Sequence, residues 1–237
     1  MKKKEQPSQN QINDLFKCFH SGKFSESEKL TLSIIKEYPR CQFAWKVLGA
    51  VLGQLGRDSE AVDAHKKAVE LYPQDAEAHC NLGISLQQIN KPIEAKMSYN
   101  NAILINPNYA EAYFNLGNTL ITLEKLKEAE ISFTKSLESK PNYAEAHNNL
   151  ANTLIKLGKT EKAISEYCEA IKYKPNYTEA IINFGINIKN VRYTSSNPSH
   201  YPIINKLLKL NNSMRPIDIA KSVISLLKHE PIINQLL

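Results

Sequence analysis

Apolar and small residues recur at helical spacing along most of the chain, as in EAYFNLGNTLITL and EKAISEYCEAIKY, and the apolar stripes are broken at regular intervals by glycine or proline. Pro39, Pro73, Pro107, Pro141 and Pro175 each fall 34 residues after the last. Between them the same letters return in register: Leu48, Leu82, Leu116 and Leu150; Gly49, Gly83, Gly117 and Ala151; Ala61, Ala95, Ala129 and Ala163; Ala68, Ala102, Ser136 and Ala170. The pattern predicts two helices per period. A turn at residues such as Gly56 and Gly158 separates them, and the proline closes each unit.

Small residues at fixed positions mark where paired helices approach too closely for a larger side chain. Leu116, Leu120 and Phe133 are expected to fill the remaining space. Trp45 and Tyr113 supply an aromatic side chain at a position that His79 and His147 take in other units, so both histidines are read as packing residues rather than ligands or bases. These letters and their period resemble the tetratricopeptide repeat. The resemblance implies an all-α, right-handed α-solenoid of helix-turn-helix repeats with a short C-terminal helical segment.

On this frame, residues 1–7 form a disordered tail and 8–190 the array, with repeats near 8–41, 42–75, 76–109, 110–143 and 144–177 and a half repeat at 178–190. The first unit is degenerate: Ser27 and Thr31 stand where the pattern prefers Ala and an aromatic. Residues 191–202, rich in Ser, Asn and Pro, read as a linker, and 203–237 as a helical tail or the start of a further domain. Its candidate helices are IINKLLKL, PIDIAKSVISLLKH and PIINQLL.

Charge changes little. Thirty Lys and Arg against 24 Asp and Glu give +6, but the basic residues are scattered, and no nucleic-acid partner is expected. Cys18, Cys41, Cys80 and Cys168 lie far apart without C-x-x-C spacing, indicating neither zinc nor a disulfide framework. The start, MKKKEQPSQNQ, lacks the apolar stretch of a signal peptide, and no run approaches membrane-spanning length. The expectation is a cytoplasmic chain with no membrane partner, no metal, no cofactor and no catalytic residue set.

What stacking does not explain is asparagine. Asn81, Asn115, Asn149 and Asn183 recur at 34 residues on the first helix of their units, and Asn118 and Asn152 lie three positions on. Asparagine is a poor helix-interior residue because its amide competes for backbone hydrogen bonds. A carboxamide both donates and accepts, so a row of them can pair with the backbone of an extended peptide. The row is similar to the asparagine ladder in the repeat array of O-linked N-acetylglucosamine transferase. That resemblance implies a protein-interaction scaffold holding an extended polypeptide in its groove. Phe114, Ile121, Ile182 and Ile186 are the candidate side-chain contacts. Bridging between neighbouring repeats is the competing account of the same asparagines.

A carboxylate clamp of the chaperone-binding kind fits less well. Lys46 and Asn81 match it, but Ala50, Glu111 and Asn115 stand where the clamp needs Asn, Lys and Arg. The stretch around RPIDIAKSVISLLK is similar to segments joining repeat arrays to transferase domains in some bacterial proteins. Under that alternative the chain is the substrate-recognition part of a larger glycosyltransferase or methyltransferase. Self-association through the solenoid ends is the third reading.

Overall fold

The computed structural model describes residues 6–188 and 200–209. Twelve helices lie within them: α1 (Gln9–His20), α2 (Phe24–Glu37), α3 (Gln42–Gln54), α4 (Asp58–Leu71), α5 (Ala76–Gln88), α6 (Pro92–Ile105), α7 (Ala110–Thr122), α8 (Leu126–Ser139), α9 (Ala144–Lys156), α10 (Thr160–Tyr173), α11 (Thr178–Ile188) and α12 (Tyr201–Lys209). They fall into two compact units that divide between Leu123 and Glu124. The tail candidates beyond 209, PIDIAKSVISLLKH and PIINQLL, lie outside the described residues.

In the first unit, α1 to α7, each second helix packs against its own first helix and against the first helix of the next pair, while α3, α5 and α7 lie side by side. Glycine sets the closeness of each pair. A Cβ on Gly49 would stand 2.3 Å from His65 Nε2, and one on Gly83 would stand 2.6 Å from Tyr99 Cε1. Both distances are far inside van der Waals contact. The ring sixteen residues downstream therefore fills the space the missing side chain leaves. In the first pair the choice is inverted, with Leu15 at the glycine position and Thr31 at the ring position, both fully buried.

The turn between paired helices uses one backbone conformation throughout. Gly22, Asn90, Gly56, Glu124 and Gly158 all have φ between 57° and 74°, at a 34-residue period. At Gly56 the turn is closed by Arg57 N–H donating to Leu52 O (2.9 Å) and Gly56 N–H to Gly53 O (3.1 Å), which satisfies two orphan carbonyls at the end of α3. The same pair of bonds recurs at Asn90, from Lys91 N–H to Leu86 O and Asn90 N–H to Gln87 O, each 2.9 Å, so the conformation does not depend on glycine.

In the second unit, α9 packs on α8 and α10, and α11 on α10, α9 and α12. After the half repeat that the sequence places at 178–190, the tail candidate IINKLLKL falls, up to Lys209, in α12, which packs on α11 with Leu207 against Gly185: a Cβ there would meet Leu207 Cδ2 at 2.5 Å. Leu207 lies 22 residues after its glycine rather than 16, so the interval carries six extra residues. His200, edge-on to Phe184 with ring centroids 5.5 Å apart, completes the contact. Proline near the start of α12 suits a first helical turn, and Pro202 occupies it.

Candidate functional site

The histidines read as packing residues have a specific job. Trp45 Nε1 donates to Pro39 O (3.0 Å), and His79 Nε2 and His147 Nε2 make the same bond to Pro73 O (3.0 Å) and Pro141 O (2.9 Å). A carbonyl can only accept, so in both histidines Nε2 carries the proton. His147 Nδ1 also meets the Glu166 carboxylate at 2.7 Å. Burial disfavours the His147 charge, but Glu166 and the Pro141 carbonyl outweigh it and raise its pKa.

His65 is the opposite case. It is buried, with Nδ1 against Ser85 Oγ at 2.8 Å, and its Nε2 has no partner within hydrogen-bonding limits. Burial pushes its pKa down to about 4, opposed by the Lys46 carbonyl and reinforced by the Lys46 charge. It is a neutral ring filling the aromatic position over Gly49.

On the first-helix face of the first unit lies an apolar pocket of about 360 Å³. Phe16 and Phe19 come from α1, Phe43 and Val47 from α3, and Asn81 from α5. Phe16 and Phe43 pack with ring centroids 5.3 Å apart, and Phe16 remains 43% exposed despite that contact. At one rim, Lys46 Nζ pairs with Asp75 (3.1 Å) and with Glu77. Asp75 also caps α5, accepting from the N–H groups of Glu77 and Ala78. Burial works against the Asp75 charge, but bonds from Gln42, Ala78 and Lys46 keep its carboxyl below the usual range. Lys46 is thus committed to its neighbours, a further reason that the carboxylate clamp does not fit. Asn81 and Ala50 also line a second cavity of about 430 Å³, floored by Gly49 and Gly53, so the two hollows share a wall.

The asparagines divide by environment. In the first unit, Asn81 is half-buried and meets no hydrogen-bond partner among the described residues. Asn115 Nδ2 has only Cys80 Sγ at 3.9 Å. Asn118 and Phe114, on the same helix as Asn115, are half-buried. In the second unit, Asn183 Nδ2 donates to Asn148 Oδ1 (3.3 Å) and Asn152 Oδ1 (3.2 Å), and Asn152 Oδ1 accepts from Tyr167 OH (2.6 Å). Asn149 Oδ1 lies 3.4 Å from Asn148 Nδ2, whose other contact is Glu179 at 3.0 Å. The bonds from Asn183 to Asn148 and Asn152, and from Asn148 to Glu179, bridge adjacent repeats. Ile182 is half-buried and Ile186 exposed. Phe16, Phe19 and Phe43 were not among the sequence candidates. The signal was present at Phe43, which stands where the later units carry Glu77, Glu111, Glu145 and Glu179.

Among the described residues no group of three or more His, Cys, Asp or Glu is arranged to hold a metal, and no helix is long and apolar enough to cross a membrane. The four cysteines are free thiols; burial raises Cys80 to about 11 and Cys168 to about 12.

The helix pairs across residues 49–165 are tetratricopeptide repeats: models of that repeat match residues 49–90, 76–109, 110–143 and 132–165. Each unit is accordingly all-α and built from the helix-turn-helix pairs of the right-handed α-solenoid class. Among solved structures, the chain is similar to MamA (23% identity, TM-score 0.62, 69% of this chain and 95% of that one). It is similar to YrrB, described as a TPR protein with an unusual peptide-binding site (23%, TM-score 0.60, 74% and 90%). A third is PilW, described as a widely conserved type IV pilus biogenesis factor (17%, TM-score 0.72, 92% and 100%). At these identities the likeness establishes the fold. No curated protein sequence matches the chain significantly.

Proposed function

We propose that this chain is a protein-interaction module that holds an extended peptide on the first-helix face of its first unit. The observation that carries the reading is the pocket formed by Phe16, Phe19, Phe43 and Val47, beside a half-buried Asn81 with no protein partner. An apolar side chain of the peptide enters the pocket, and Asn81 and Asn115 pair with its backbone amides. The related YrrB has a peptide-binding site by description, which supports a peptide as the ligand class here.

Burying one large apolar side chain contributes about 1.5–3 kcal/mol, and each carboxamide hydrogen bond about 0.5–1.5 kcal/mol. Association and ordering offset much of this, so modest affinity follows, dominated by the anchor. In the second unit Asn183 already spends its donors and Asn152 its acceptor oxygen on protein partners, so both contribute less than the ladder reading expects.

The test is to pan random twelve-residue peptides displayed on phage against the full chain, then repeat the capture with Asn81→Ala/Asn115→Ala. Enrichment of sequences sharing a large apolar residue, with capture weakened about tenfold in the double variant, is expected. Failure to enrich any peptide, or equal capture by a folded double variant, contradicts the reading.

A further inference from the structure

Helix α6 is apolar on both faces. Ala95, Tyr99 and Ala102 are buried in the first unit, yet on the opposite side Ile93, Met97 and Leu104 are 68%, 64% and 81% exposed. At 100° per residue these three fall within about 40° of one another, with Asn100 in the same stripe.

The other repeats provide an internal control. The positions of Ile93, Met97 and Leu104 hold Ser25, Lys29 and Lys36 in α2, Ser59, Asp63 and Glu70 in α4, and Glu161, Ser165 and Lys172 in α10. Helix α8 has Ile131 at the middle place, flanked by Lys127 and Glu138. Only in the 92–105 helix are all three apolar. Packing within the repeat does not require this, because the same fold is built elsewhere with charges there. Monomers seldom leave such a stripe open unless it meets something.

We propose that the outer face of α6 is a contact between two copies of this chain, with the two α6 helices crossing antiparallel about a two-fold axis. The stripe reads nearly the same in both directions. Reversing α6 over itself sets Ile93 against Leu104 of the second copy at both ends, with Met97 and Asn100 at the centre. An isologous contact needs that self-complementarity. No charge interrupts the stripe, so no like charges meet across the axis. In this register Asn100 faces Met97 of the second copy, and the two Asn100 positions stand about 4.5 Å apart along the helix axis, so one carboxamide can donate to the other across the two-fold. In α2, α4 or α10 the same operation would place charged side chains in the contact, Lys36 against Ser25, Glu70 against Ser59 and Glu161 against Lys172, where α6 offers an apolar pair. A stripe one helix wide is smaller than a standard interface, which sets a weak, reversible dimer.

Sedimentation equilibrium of the full chain over a concentration series tests this. The expected result is a reversible dimer that Met97→Glu/Leu104→Glu weakens at least tenfold. The separate variant Asn100→Cys is expected to yield a disulfide between the two position-100 thiols, identified by mass spectrometry, because that residue lies next to the axis. A monomeric wild type at several hundred micromolar, or a dimer that persists in the charged variant, overturns the proposal. Phe43→Glu leaves the association unchanged, so this contact stands or falls apart from the peptide reading.

Discussion

His65 shows how one substitution inside a repeated frame alters behaviour. Tyr99 and Tyr167 take the same place in later repeats as rings with pKa values raised by burial, and neither titrates below neutrality. His65 has its pKa lowered to about 4, from an ordinary value near 6.5. The unfolded chain therefore binds the proton first on acidification. Stability is fully present above about pH 6.5 and is lost as the pH falls towards 4, by roughly 2–3 kcal/mol. Denaturant titrations of the first unit at a series of pH values should show this slope, and His65→Phe should flatten it. Glu124 is a second such case, holding φ at 60° where Gly22, Gly56 and Gly158 do so without a Cβ. Glu124→Gly is expected to stabilise the chain by up to about 1 kcal/mol, read as a rise in denaturation midpoint.

Between elements, the energetics rest on the distance between paired helices. Gly83→Ala brings a Cβ to 2.6 Å from a fully buried Tyr99 ring, whose hydroxyl is tied to Gln87. The helices must separate, at a cost of about 1–3 kcal/mol by chemical denaturation. The fifth repeat already carries Ala151 at that place, so the spacing is not identical in every pair. The helix-turn-helix frame was legible because most buried positions, such as Ala61, Ala95, Ala129 and Ala163, repeat their chemistry at 34 residues. The helix at IINKLLKL was legible as well, but not its pairing with α11, because six extra residues move Leu207 out of register with Gly185. The candidate site was legible only in part. Searching for what recurs finds Asn81, Asn115, Asn149 and Asn183. It passes over Phe16, Phe19 and Phe43, whose information lies in departing from the repeat. Nor does periodicity alone tell that Asn183 spends its donors on Asn148 and Asn152 while Asn115 has only a distant thiol.

For the whole molecule, a repeated frame leaves function to the positions where the frame does not dictate the residue. In the first unit these gather in two places: the aromatic pocket on the first-helix face and the apolar outer stripe of α6. The central claim is that the pocket anchors an extended peptide. Its most direct measurement is calorimetric titration of a panned peptide into the wild-type chain and into Phe43→Glu, with circular dichroism confirming equal helicity. The account predicts at least a tenfold loss of affinity when a carboxylate replaces the ring that borders Phe16. Equal affinity in the two proteins would contradict it.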